Sequence, residues 1–331
     1  MQNFKSIQMK LYINLFFVIL FTPISLFAHT DNDSIVISHL YDLDLELDCD
    51  ACGCSATSTS NGIENLINSN FVGIRYLHQS YKTKEDAFSN KRTQKQLFNT
   101  IQLWARIPIN NRIDINASIP YHFHNKEGKN SSSISGIGDL NMMGIVKVIK
   151  SNTSSNELKH GLSAAIGLKI PIAKFNQANA ETTNPSFQLG TGSWDTQFAI
   201  NYQLAFKNST LQLVTDYNLK GENKKKYKFG DQWNQLIQLQ HLFINNELKL
   251  LGKVGFQNEL YYKNEQFGET IPKSKGKAQF AKLGLEAAAR KFNFGIEYFQ
   301  PILSDLNSGE IEVKNRIGFF FNYNLFQSKN Q

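Results

Sequence analysis

The chain has 331 residues, a formal net charge of +7, 41% hydrophobic residues and 12% aromatic residues, including 25 Phe and 12 Tyr. A mean hydropathy of -0.35 counts against a bundle of membrane-spanning helices but not against a barrel, in which only alternate residues meet lipid. The basic residues form no cluster interleaved with aromatics, which argues against nucleic acid as a partner.

In chain order, Lys5 and Lys10 precede an apolar run from Leu11 to Phe27 that ends at Ala28. These are the parts of a secretory signal peptide, residues 1–28, with cleavage expected at Ala28-His29. Asn14 and Pro23 interrupt the run, and no later stretch reaches the roughly 18 apolar residues that a spanning helix needs. Residues 29–70 follow as an acidic, cysteine-containing segment expected in the periplasm. Cys49-Asp50-Ala51-Cys52-Gly53-Cys54 holds every cysteine, beside Asp42, Asp44, Glu46 and Asp48. Three thiolates at this spacing can converge on a soft ion such as Cu(I) or Zn(II). In an oxidising compartment Cys49 and Cys52 would instead form a disulfide and leave Cys54 free. Leu47-Asp48 lacks the small residues that lipid modification of Cys49 would need.

From Phe71 to Phe326 one pattern repeats: ten to fifteen residues of alternating apolar and polar side chains, then a polar break. Trp194, Thr196, Phe198, Ile200, Tyr202, Leu204 and Phe206 share one parity, and Asp195, Gln197, Ala199, Asn201 and Gln203 the other. Period two is the strand period. Strands are expected at 71–83, 93–109, 112–124, 138–150, 160–172, 193–206, 209–220, 229–243, 247–260, 278–289, 292–301 and 313–326. Tight turns are marked by Asn110-Asn111, Asn208, Asn245-Asn246 and Arg290-Lys291, Asn being tolerant of positive φ. Longer loops fall at 84–92, 125–137, 173–192, 221–228, 261–277 and 302–312, while 151–159 is long for a turn.

Short turns on one side and long loops on the other belong to bacterial outer-membrane barrels, whose short turns are periplasmic. The expected fold is therefore all-β, an antiparallel transmembrane β-barrel of about twelve strands with both termini periplasmic. Residues 29–70 would then stand at the periplasmic mouth, where they could plug the bore. A soluble sandwich or propeller also alternates, but with strands of about five or six residues. In the last strand Ile317, Phe319, Phe321, Tyr323 and Leu325 share a parity, opposed by Arg316, Gly318, Asn322 and Asn324, with Phe320 as the exception. Phe326 closes the strand, and residues 327–331 form a tail. An aromatic-rich final strand ending at Phe resembles the signal read by the outer-membrane barrel-assembly machinery, an expected partner together with outer-membrane lipid.

Gly136-Ile137-Gly138-Asp139 and Phe187-Gln188-Leu189-Gly190-Thr191-Gly192-Ser193 resemble the GxGD and LQxGTGS signatures of the outer-membrane barrel family labelled meta-pathway phenol-degradation transporters. Leu103-Trp104-Ala105-Arg106, Ile119-Pro120-Tyr121 and Gly167-Leu168-Lys169-Ile170-Pro171 add to the resemblance, which extends from about Phe71 to Phe326. It implies the barrel fold, the outer membrane and transport of small molecules, with no catalytic or binding residue to carry over. The motif glycines are expected to supply backbone freedom where loops enter strands.

With the apolar parity toward lipid, the inward residues include Arg75, Arg106, Asp114, Asp139, Lys169, Asp195, Asp216, Lys253, Glu286 and Arg316, joined by Lys147, Lys249, Lys282 and Glu297. Rings of one sign would indicate ion selectivity. Mixed signs pair across an interior, leaving either a narrow, partly obstructed channel or a filled barrel. His122 and His124 share the inward parity, near Ser118, while His78 faces out. A polar rim at the mouth is the first expectation for these histidines, a metal site or catalysis the sharper ones. The functional expectation is a channel for passive passage of small molecules, not an enzyme. The alternative is a barrel-anchored metal-binding or sensing protein that uses Cys49, Cys52 and Cys54 to hold Cu or Zn.

Overall fold

A computed structural model describes residues 70–83, 94–127, 131–149, 158–175, 187–245 and 248–325. Within them run β1 (Phe71–Thr83), β2 (Gln94–Pro108), β3 (Ile113–Glu127), β4 (Ser132–Ile137), β5 (Leu140–Ile149) and β6 (Lys159–Ile170). Next come β7 (Asp195–Phe206), β8 (Ser209–Leu219), β9 (Tyr227–Lys228), β10 (Gln232–Asn245) and β11 (Leu248–Tyr261). The last are β12 (Glu265–Gln266), β13 (Glu269–Thr270), β14 (Gly276–Ala289), β15 (Phe292–Asp305) and β16 (Ile311–Asn324). Every pairing is antiparallel, and the sheet closes because β1 pairs with both β2 and β16 while β2 also pairs with β3. With β4 and β5 sharing one position in the wall, the result is a closed twelve-stranded barrel. No helix among the described residues is long and apolar enough to cross a membrane, which says nothing about crossing by strands.

Phe71 at the start of β1 lies opposite Asn324 at the end of β16, so both belong to the same rim, the near end. Connections there are short, such as Lys207-Asn208 and Arg290-Lys291. Positive φ falls on Lys207 (51°) and Arg290 (53°), not on the Asn of the first turn. Asn110 acts instead through its side chain, whose Oδ1 accepts from the backbone N–H of Arg112 at 2.8 Å and of Ile113 at 2.9 Å. The long connections gather at the far end, where β9, β12 and β13 form a small separate sheet around Tyr227, Phe229 and Ile271.

The strand bounds differ from expectation where long loops were drawn too long. β3 runs on to Glu127 and pairs with β4 inside the expected 125–137 loop, and β15 and β16 extend to Asp305 and from Ile311. The fourth wall position is broken at Gly138-Asp139 because Pro120 on β3 has no N–H to continue the ladder. Its carbonyl still accepts from the Gly138 N–H at 2.8 Å.

Alternation sets what faces where. Trp194 is 57% exposed and Phe198, Ile200 and Phe206 are also exposed, whereas Asp195, Gln197, Ala199 and Asn201 on the other parity are buried. Ile74, Leu103, Leu239, Val254, Leu283 and Phe294 continue the exposed apolar band around the wall. At the near end Phe292, Phe294, Phe321 and Tyr323 form an outward aromatic cluster, with Phe294 and Phe321 centroids 4.8 Å apart. Phe320, the exception in the last strand, points inward and packs edge-on against Trp104, which in turn meets Phe71 at 4.5 Å. A Cβ on Gly295 would lie 2.0 Å from the Phe320 ring, so the neighbouring strand makes room with a glycine.

Candidate functional site: the inner wall and the far-end mouth

The sequence-selected interior residues sit on the buried face and are mostly paired with one another. Asp114 meets Lys147 at 2.8 Å, Lys253 meets Glu286 at 2.9 Å, and Lys282 meets Glu297 at 3.2 Å. Arg75 donates to Gln102 Oε1 from Nε at 2.9 Å while its guanidinium lies 4.8 Å from the Trp104 ring centre. Arg106 is buried, and the half-buried Asp216 accepts from Asn218 at 2.9 Å and Asn234 at 2.8 Å. Lys249, at the near end of β11, is exposed. Arg316 reaches furthest. From β16 it passes over the rings of Phe280 and Phe299 on β14 and β15 and pairs with Glu259 on β11 at 2.6 Å and 3.2 Å. Tyr261 donates its hydroxyl to the same carboxylate at 2.6 Å.

At the far end the two sequence motifs meet. Asp139, in the break between β4 and β5, accepts from the backbone N–H of Ala173 at 3.1 Å and of Thr191 at 3.1 Å. Lys169 stands 2.6 Å from Asp195 and 3.6 Å from Asp139, and it also meets the Thr191 hydroxyl. Ser193 donates to Asp195 at 2.8 Å, Lys220 pairs with Asp195 at 3.3 Å, and Asn223 Nδ2 donates to the Thr191 carbonyl at 3.1 Å. Two cations and two carboxylates, all buried, therefore bind the segment Phe187–Ser193 to the inner wall. Backbone freedom is needed only at part of the motif. Gly192 has a φ of 70°, while Gly190 serves close approach, since a Cβ there would lie 2.5 Å from Asp139 Oδ1.

Beside this polar network lies an apolar cluster that the expected polar mouth did not include. Phe187 and Leu189 from the inserted segment pack with Tyr81, Phe98, Ile134, Tyr261, Phe280, Phe299 and Val313 from strands around the wall. His122 and His124 are no solvated rim: they are 2% and 0% exposed, with ring centres 4.8 Å apart. Thr100 Oγ1 lies 2.9 Å from His122 Nδ1, and Phe98 and Phe187 flank His124 at 4.8 Å and 6.3 Å. Ser118 accepts from Gln102 at 2.8 Å, and the hydroxyl beside His122 is that of Thr100. Among the described residues no group of three or more metal-ligating side chains occurs. Cys49, Cys52, Cys54, the leader and Phe326 lie outside the described residues.

Comparison with solved structures decides the fold. The crystal structure of an outer-membrane channel from Pseudomonas putida F1 matches with a TM-score of 0.58 at 12% identity, covering 79% of this chain and 98% of that one. The fold is that of an outer-membrane β-barrel. The β domain of the Bordetella autotransporter BrkA matches at a TM-score of 0.43 and 8% identity, over 78% of this chain and 100% of that one. The NanC porin matches at 0.40 and 9% identity, over 77% and 100%. Both scores are too low to carry any argument. No family model and no curated protein matches the chain, and what the comparison supports of the motif resemblance is the outer-membrane β-barrel fold.

Several residues of this barrel interior were not singled out in the sequence. Glu259 sits on the same parity of β11 as Lys253, so alternation alone could have found it. Thr191 and Ser193 lay inside a motif read only for its glycines. Phe280 and Phe299 stand two residues from Lys282 and Glu297, and an aromatic on a charged parity was the available signal for an apolar interior.

Proposed function

We propose that the chain is an outer-membrane protein that passes small molecules passively through its barrel. The observation that carries this reading is the two-faced wall: exposed Ile, Leu, Val and Phe on one parity, and buried Arg, Lys, Asp, Glu, Asn and Gln on the other. An apolar outside suits lipid, while a hydrogen-bonding inside suits polar solutes or the water that carries them. The near end, with its short turns, faces the periplasm and the far end faces out, which leaves both termini periplasmic. Interior charges are largely neutralised in pairs, so the barrel discriminates by size and hydrogen bonding more than by the sign of an ion. The phenol-degradation label rests on the motif resemblance, and aromatic acids therefore belong in the test.

Liposome swelling with sugars, amino acids and aromatic acids measures the property directly. The reading expects swelling that slows as the solute grows. Liposomes that contain folded protein and remain impermeable to every solute contradict it.

A further inference from the structure

Two motifs 52 residues apart in sequence join at one carboxylate. Asp139 holds both limbs of the connection between β6 and β7, Ala173 on the way out and Thr191 on the way back, and Lys169 meets the Thr191 hydroxyl on the returning limb. That limb carries Phe187 and Leu189 into the barrel mouth, where they cover the inner wall. Beside Phe187, His124 is fully buried, and neither ring nitrogen has a hydrogen-bond partner among the described residues. Buried polar groups are normally satisfied, and leaving them bare opposes the state that buries them. A wall that stayed covered would carry an apolar group at this position. A wall that is covered and uncovered in turn has a use for groups that bind water once the cover lifts.

We propose that Phe187–Ser193 is a gate over the far-end mouth and that the Asp139–Thr191 and Lys169–Thr191 contacts are its latch. In the closed state Phe187 and Leu189 fill the mouth. In the open state the segment leaves the wall, His124 becomes hydrated, and the interior pairs below are reached from outside. Asp139 is a positioning residue in this scheme and meets no solute. The proposal deepens the passage reading and rests on it, but the position of the gate is measurable without any flux.

The test places a cysteine at position 124 (His124→Cys) in a full-length chain whose Cys49, Cys52 and Cys54 are serine, reconstituted in liposomes. Labelling by a membrane-impermeant charged maleimide reports uncovering of the wall, and planar-bilayer recording on the same protein reports passage. Asp139→Ala is expected to speed labelling by about tenfold or more, through loss of the two charge-assisted hydrogen bonds, and to raise open probability. Equal labelling rates and equal open probability in Asp139→Ala and its parent, both showing folded-barrel mobility on gels, overturn the gate while leaving passage intact. Faster labelling without current in either protein supports the gate and overturns passage. Should Asp139→Ala not fold, the Phe187→Ala, Leu189→Ala double variant removes the cover without touching the latch or the strand ladder. It is expected to label faster, and an unchanged rate overturns the proposal.

Discussion

Arg316 shows how one side chain ties a barrel together from within. Its guanidinium crosses two neighbouring strands over Phe280 and Phe299 before it meets Glu259, so it couples β16 to β11 without a backbone bond between them. Cation–π contact and a charge-assisted pair act together in a site closed to water, where each is stronger than at a surface. Removing one partner of such a pair leaves the other charged and buried, at a cost of about 3–5 kcal/mol. Glu259→Gln, nearly the same shape, is therefore expected to lower the urea midpoint of the folded barrel markedly. The Glu259→Gln, Arg316→Met double variant is expected to recover part of that loss. Chemical denaturation in lipid checks both, and a Glu259→Gln protein as stable as its parent would show that the pair is not needed.

Along a strand, position parity decides the solvent a residue meets. Leu239 on β10 is exposed in the apolar band, while Gln238 beside it is buried and donates to Gln212 at 2.6 Å. Leu239→Arg is therefore expected to destabilise the barrel by about 2–4 kcal/mol if it lies near the bilayer midplane, and by less near a rim. The urea midpoint in bilayers measures this, and an unchanged midpoint would mean that the outer parity does not meet lipid. Most of this scale was legible in the sequence, because period two is local: β7 could be read face by face from Trp194 to Phe206. What could not be read lies between strands. Glu259 and Arg316 are 57 residues apart and Asp139 and Thr191 are 52 apart, and alternation names a face without naming a partner across it. The break opposite Pro120 was likewise hidden, since a missing N–H on β3 interrupts the position in the wall where β4 and β5 meet. Alternation also says nothing about what fills an interior, which is why Phe98, Phe280 and Phe299 went unread while the charges beside them did not.

At the scale of the whole molecule, the barrel combines three interior zones. An aromatic cluster of Phe71, Trp104 and Phe320 lies at the near end, and Met143, Ile145, Ala165, Ala199, Val214 and Leu236 form an apolar side of the middle. The mouth cluster with its inserted Phe187 and Leu189 lies at the far end. Between them run the paired charges, which keep the interior polar without giving it a net field. On the proposed reading, such an interior would pass solutes in small numbers when its mouth opens and hold ions back when it closes. The most direct measurement of this account is single-channel recording of the folded wild-type protein in planar bilayers. Discrete, low-amplitude steps with long closed intervals are the predicted result. A membrane that holds folded protein and never departs from its baseline conductance would contradict it.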